Sequence, residues 1–359
     1  MAEALFRSDS TFDRKGFTER ATREIESLEL KQRSHQIYIA LCEFLPSDFL
    51  VACKVIKQAL HPCVDGAPMR AETDEQGIQG WLIMPLAEFV GLDGAEHLPE
   101  AMALMRELTM RFTAEFGIRH LLKVDPTTCL SLIETWISDE NEHVRRLASE
   151  GTRPRLPWGL RLQAFVKEPQ LTLPLLEKLR DDPSEYVRRS VANHLNDIAK
   201  DHPQLILNLA HDWHMDAPEI RQKMLRHALR NLLKEGRQQA LSLYDMSSPQ
   251  VRNVFMELPQ TIIAVGESLT IRFQVESASA REQRLRFDIV IHYRKGNGTL
   301  SPKVFRWKDI NLPAHQVHVA EKKISFRPIT TRRYYGGLHK VEIKINGAKH
   351  AELDFDLSA

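Results

Sequence analysis

Residues 185–200 read Glu185-Tyr-Val-Arg-Arg-Ser-Val-Ala-Asn-His-Leu-Asn-Asp-Ile-Ala-Lys200, and the pair Val187-Arg188 within them decides the fold. The same kind of pair, apolar then arginine, stands at Met110-Arg111, Val144-Arg145 and Ile220-Arg221, at successive intervals of 34, 43 and 33 residues. A second repeat agrees with the first. Lys123-Val-Asp-Pro126, followed by Trp136 and Asp139, returns 77 residues later as Lys200-Asp-His-Pro203, followed by Trp213 and Asp216. One helix pair of this length cannot bury its own apolar face, so such units recur where each stacks on the next. From about residue 17 to 245, apolar residues keep helical spacing, as in Ile37, Ala40, Leu41, Phe44 and Leu45. The expected fold over residues 1–250 is an all-α, HEAT-like helical solenoid.

The 43-residue interval is about nine residues longer than its neighbours, and the surplus falls at Gly151-Thr-Arg-Pro-Arg-Leu-Pro-Trp158-Gly159. Insertions in repeat proteins project from one face, often the binding face. Arg153, Arg155 and Trp158 ride on this one, and Trp158 is stiffened between Pro157 and Gly159. A ring held on a stiff loop loses little entropy when it meets a ligand. The competing expectation is a ring that only plugs the loop onto the solenoid.

Past residue 255 the apolar period becomes two, over 268–276, 284–293, 303–307, 317–326, 339–345 and 351–357, with turns at Lys295-Gly-Asn-Gly298 and Asn346-Gly347. About seven short strands in a hundred residues predict an all-β immunoglobulin-like sandwich over 255–359, lacking the disulfide of antibody domains. Ser247-Ser-Pro249 is expected to begin the linker.

Composition excludes several classes. The four cysteines have no CxxC spacing and read as reduced packing thiols. No apolar leader or membrane-length apolar run is present, so a cytoplasmic protein is expected. There is no HExxH, Walker loop or GxGxxG, and the His211-Asp212-Trp213-His214 cluster is a poor metal set. No cofactor and no metal are expected. The net charge of +1 hides a polarity. Residues 1–140 carry a net −9, residues 141–237 a net +4 and residues 251–359 a net +7, which suits a polyanion bound by part of the surface.

Two stripes bear on chemistry. Arg111, Glu115 and Arg119 follow i, i+4, i+8 spacing and are expected on one helix face, as are Arg189, Asn193 and Asp197. A carboxylate among arginines in a nucleic-acid groove repels phosphate, so it is a poor device for grip alone. The alternative is i,i+4 ion pairing on an exposed helix, worth tenths of a kcal/mol. Arginine doublets Arg145-Arg146 and Arg188-Arg189 open equivalent helices and suit phosphate contacts. One member of each doublet also suits internal capping.

The segments Thr109–Arg119, Asn141–Trp158 and Glu185–Lys200 together resemble the AlkC branch of the AlkC/AlkD superfamily of HEAT-like DNA glycosylases. Lys295–Phe305 and Thr331-Arg-Arg-Tyr-Tyr335 resemble the Ig-like domain that some members append. The resemblance implies a monofunctional enzyme of base excision repair. Its partner would be double-stranded DNA containing cationic N-alkylated bases such as 3-methyladenine and 3-methylcytosine, excised without base flipping. It further implies catalysis by Glu115, Asp197 and Trp158. DNA contacts would come from Arg145, Arg146, Arg153, Arg155, Arg188, Arg189 and Asn193, and from Lys295, Arg332 and Arg333 on the Ig-like loops. A monomer is the simpler expectation for a solenoid with its own cap. The rival reading is a non-enzymatic helical scaffold that binds nucleic acid or protein.

Overall fold

The computed structural model describes residues 1–63, 72–246, 248–330 and 332–358; Ser247 and Thr331 lie outside the described residues. Sixteen α-helices precede eight strands among the described residues. The first eight helices are α1 (Ala2–Ser8), α2 (Arg14–Thr22), α3 (Leu30–Phe44), α4 (Phe49–Ala59), α5 (Ile83–Asp93), α6 (Leu98–Thr109), α7 (Ile118–Val124) and α8 (Pro126–Glu134). They continue as α9 (Glu142–Glu150), α10 (Gln163–Lys167), α11 (Leu173–Leu179), α12 (Glu185–Ile198), α13 (Pro203–His214), α14 (Glu219–Ala228), α15 (Arg230–Glu235) and α16 (Gln238–Ser242). No described helix is long and apolar enough to cross a membrane. The chain divides into two compact units. One comprises Met1–Ile206 with Met215–Ala228, and the other comprises Leu207–His214 with the chain from Leu229 onward.

Local chemistry sets the helix boundaries in the first unit. The Asp125 carboxylate accepts from the Thr128 N–H at 3.0 Å and Pro126 takes the first position of α8, where its missing N–H costs nothing. Asn141 caps α9 through the His143 N–H at 2.9 Å. Val144, Leu147 and Ala148 then face the core, and Val187, Val191, Leu195 and Ile198 do the same on α12.

The repeats are tied by arginines. Arg145 donates to Asp182 at 2.7 Å and to the carbonyls of Asp139 and Glu140, while Arg188 reaches the carbonyls of Asp182 and Pro183. Val144-Arg145 and Val187-Arg188 occupy the third and fourth positions of α9 and α12, so these two members of the series are structurally equivalent. Met110-Arg111 is not. It follows the end of α6, and the matching tie is made by Arg106, whose Nε donates to Asp139 at 2.7 Å.

The expected helical stripe of Arg111, Glu115 and Arg119 is therefore corrected. Residues 110–117 form the turn between α6 and α7, and only Arg119 is helical. Gly117 ends this turn against α5: a Cβ there would overlap the Ala87 carbonyl of α5, and a Cβ on Gly91 would overlap the Gly117 carbonyl. The backbones touch, so position 117 has no room for a side chain.

The second unit holds the strands β1 (Val251–Glu257), β2 (Ile262–Ala264), β3 (Ser268–Ser277), β4 (Gln283–Arg294), β5 (Leu300–Leu312), β6 (Val317–Ser325), β7 (Gly337–Ile345) and β8 (Ala348–Ser358). They form two sheets, β1-β3-β6 and β2-β8-β7-β4-β5, antiparallel except for the β2–β8 pair. Leu269, Ile271, Phe273 and Val275 alternate inward on β3 to meet Leu285, Phe287, Ile289 and Ile291 of β4. Residues 251–254, expected as linker, begin β1 instead, and Met256 enters the sandwich core.

The close approach at Gly117 yields a prediction. Gly117→Ala should destabilise the protein by about 1–3 kcal/mol, the usual cost of overpacking, read as a lower urea midpoint with an unchanged m value. An unchanged midpoint would mean that α5 and the 110–117 turn are not pressed together.

Candidate active site

Glu115 sits in the α6–α7 turn with its side chain 12 % exposed, accepting from Thr113 Oγ1 at 2.7 Å and from Arg146 Nη1 at 2.6 Å. Arg146 extends from α9 over the Tyr186 ring, 5.0 Å from its centroid, and its Nη2 lies 3.5 Å from Glu150. Glu150 closes α9 and accepts from Arg153 Nη1 at 2.6 Å and from Ser190 Oγ at 2.6 Å. Arg153 turns its other edge to Asp197, with Nε and Nη2 each 2.8 Å from Oδ2. Lys200 completes the row, 2.8 Å from Asp197 Oδ1. Glu115, Arg146, Glu150, Arg153, Asp197 and Lys200 therefore form one alternating chain of charges.

Most of that chain is buried, Arg153 and Asp197 at 6 % and 2 % exposed. Burial opposes the charge on Arg146, yet Glu115 and Glu150 outweigh it and hold the pKa above its ordinary value. Burial likewise opposes Arg153, and Glu150 and Asp197 raise its pKa. Beneath the chain His194 is fully buried between the Ser149 carbonyl at 3.0 Å and the Thr172 hydroxyl at 3.3 Å. Desolvation pushes its pKa down to about 3, so it is neutral at physiological pH.

Arg119, also fully buried, holds the insertion. Its Nε donates to the Leu160 carbonyl at 2.6 Å and its Nη1 to the Gly151 carbonyl at 2.8 Å, clasping both ends of the loop. Burial, with Arg153 nearby, lowers its pKa to about 10. At the loop's tip Trp158 has φ +61°, a left-handed conformation unusual for a bulky residue, and is 76 % exposed. The plug reading fails on that exposure, because the ring packs on nothing that covers it. The Trp158 carbonyl accepts from Lys31 Nζ of α3. A strained, exposed aromatic held at three points is a pattern of functional sites.

The remaining expected residues fall into three groups. Arg145 and Arg188 spend their guanidinium groups on Asp182 and on loop carbonyls, so they are capping residues rather than free phosphate ligands. Arg146 and Arg153 are likewise corrected as DNA contacts, since Arg146 is held by Glu115 and Glu150 and both edges of the Arg153 guanidinium are occupied by Glu150 and Asp197. Arg155 pairs with both oxygens of Asp201 at 2.6 Å near the surface. Arg189 is exposed beside Glu185 at 3.9 Å, and Asn193 meets His227 at 3.1 Å; Arg189 and His227 line a groove between α12 and α14. Arg189, Asn193 and Asp197 share α12 as expected, running from exposed to buried along it.

In the sandwich, Lys295 is exposed in the β4–β5 turn, Arg332 stacks 3.9 Å from the Tyr293 centroid and Arg333 lies over Tyr335. Gly296 abuts Tyr335, so these three cations share one end of the sandwich.

Sequence reasoning missed Glu150, Ser190, Lys31 and the clasp made by Arg119. Glu150 was legible from its place four residues after Arg146, the spacing that brings helix-borne side chains together; its contact with Arg153, beyond the end of α9, was not.

Comparisons with known proteins bear on what this site does. A family model described as DNA alkylation repair enzyme matches residues 111–232, and one described as the C-terminal Ig-like domain of the uncharacterised protein YhaZ matches 254–359. The chain is 36 % identical over 333 residues to YhaZ of Bacillus subtilis (strain 168), covering 92 % of this chain and 88 % of that protein. Among solved structures it superposes on the Pseudomonas fluorescens alkylpurine DNA glycosylase AlkC, bound there to DNA containing an abasic-site analogue. The TM-score is 0.89 at 33 % identity, over 100 % of this chain and 96 % of that one.

The chain belongs to the AlkC branch of the DNA alkylation repair enzymes. The solenoid and Ig-like sandwich of this branch are both present here. Its charge chain lies within the residues that the alkylation-repair model matches.

Two outcomes follow for this AlkC-branch site. Glu150→Gln leaves Arg146 and Arg153 each short of a buried counter-charge and should cost roughly 3 kcal/mol; a urea midpoint equal to wild type would refute a buried, coupled chain. His194 has a folded pKa of about 3 against 6.5 in the unfolded chain, so the unfolded state takes up its proton first. Its contribution to stability is complete above pH 6.5 and is lost progressively as pH falls towards 3. His194→Gln should flatten the melting temperature over that window; an acid slope as steep as wild type would contradict the assignment.

Proposed function

We propose that this chain is a monofunctional DNA glycosylase that hydrolyses the N-glycosidic bond of cationic N-alkylated bases in duplex DNA, without flipping the nucleotide. The observation that carries this reading is the alternating charge chain joining Glu115 to Asp197 beside an exposed, clamped Trp158. The name of the AlkC neighbour, an alkylpurine glycosylase, supports the same reaction class.

A cationic alkylated base leaves without prior protonation. When the C1′–N bond breaks, its electron pair passes to the base and cancels the positive charge there, while positive charge builds on the deoxyribose. The carboxylates of Glu115 and Asp197 stabilise that developing cation, and one of them orients the water whose oxygen bonds to C1′ and whose proton is released. Fixed charges are worth more in a buried site than in water because they need no reorganisation as the reaction proceeds. Arg146 and Arg153 hold the two acids in place. Lys200, its side chain 45 % exposed, is the member able to turn to a phosphate and leave Asp197 with one cation fewer. Trp158 lies against the sugar and lesion, where a π face favours a cation. Arg155, Arg189 and Asn193, with Lys295, Arg332 and Arg333 on the sandwich, contact the DNA backbone.

A scaffold that only grips DNA has no use for buried acids clamped beside an exposed tryptophan. Incubation with methylated duplex DNA should release 3-methyladenine above background. Glu115→Gln, Asp197→Asn and Trp158→Ala should each slow release by about 10²-fold or more, the scale of losing one preorganised electrostatic group. No release by wild type would refute the enzyme reading, and full activity in all three variants would refute the site.

A further inference from the structure

Beside the Trp158 loop the helical unit contains a cavity of about 390 Å³, within the ~300–1,000 Å³ range of small-molecule sites. Trp158 and Leu160 wall it from the insertion, and Thr113 and Phe116 wall it from either side of Glu115. Helices α3, α5 and α7 add Lys31, Met84, Glu88 and His120. The cavity therefore adjoins the proposed catalytic residues: Trp158 is part of its wall, and so are Thr113, which donates to Glu115, and Lys31, which donates to the Trp158 carbonyl.

Its chemistry narrows the occupant. The aromatic, Met84 and Leu160 surfaces suit a flat apolar face. Glu88 is an acceptor already held by Ser34 Oγ at 3.3 Å and His35 Nδ1 at 2.7 Å. A carboxylate on an apolar wall repels phosphate, so the DNA backbone is not the occupant. Lys31 Nζ, 5.3 Å from the Phe116 centroid, balances Glu88, so a cation gains nothing overall. Burial holds the His120 pKa below its ordinary value, which leaves the ring with one donor and one acceptor nitrogen. What remains is a neutral, planar heterocycle with an amino group for Glu88 and ring nitrogens for His120.

We propose that this cavity receives the excised base, an N-alkylated adenine or cytosine, as it leaves the sugar. The inference rests on the glycosylase reading, in which the departing base is neutral because it has taken the electrons of the broken bond. A base left in the stack would stay within bonding distance of C1′. A side cavity next to Glu115 removes it and opens the path for water.

The test is titration of free 3-methyladenine into the whole protein without DNA, followed by calorimetry and by tryptophan fluorescence. Wild type should bind, and Glu88→Gln should bind about tenfold or more weakly, the worth of a hydrogen bond to a charged group. Met84→Trp, which fills the cavity, should abolish binding while keeping the wild-type circular dichroism. Added free base should also slow excision by wild type more than excision by Glu88→Gln. Failure of folded wild type to bind, or equal binding by wild type and Glu88→Gln, overturns the proposal. Excision from methylated DNA is measured on the same preparation, so an enzyme that cuts but does not bind free base refutes the cavity alone. A protein that does not cut refutes the parent reading.

Discussion

Arg153 lies between Glu150 and Asp197 with almost no solvent to share its charge, and the site in the helical unit is organised around keeping it paired. A buried ion pair is not by itself a stabilising device, since desolvation offsets most of the attraction. What such a pair supplies is geometry. Once Arg153 is fixed, Asp197 cannot rotate without stranding a charge. Through Glu150 and Arg146 the same constraint reaches Glu115, which is carried by a different helix pair. Three stacked repeats thus hold two acids in one arrangement, although neither acid touches the other.

The insertion depends on the same burial. Arg119 has no carboxylate in hydrogen-bond contact among the described residues, and its Nε and Nη1 donate to the carbonyls at the two ends of the loop. That clasp, with Lys31 on the Trp158 carbonyl, offsets a left-handed backbone at a bulky residue and leaves the ring facing solvent. Ground-state strain and an exposed aromatic both cost stability, and their coincidence at one residue is what a binding surface requires.

Much of this is legible in the sequence. The Val144-Arg145 and Val187-Arg188 pairs mark equivalent helix starts because an arginine there must cap the preceding loop. The over-long interval marked the Trp158 loop, and period-two patterning marked β3, β4, the middle of β5, β6, β7 and β8. Met110-Arg111 misled because it falls after the end of α6, while the tie to the next repeat is made by Arg106, five residues earlier. The stripe through Glu115 failed because i, i+4 spacing carries no meaning where residues 110–117 leave the helix. Arg153 read as a phosphate ligand because burial is invisible in sequence; an arginine that neutralises two carboxylates looks the same as one that faces DNA. β1 was lost to the linker because its outward side chains, Arg252, Asn253 and Phe255, lack a clean alternation.

The central claim is that Glu115 and Asp197 act as one unit through Arg146, Glu150 and Arg153. A double-mutant cycle on the rate of base release, comparing Glu115→Gln, Asp197→Asn and the double variant, measures that coupling directly. A coupled pair predicts that the double variant is about as slow as the slower single variant. Losses that multiply, so that the double variant is slower by the product of the two, would contradict it.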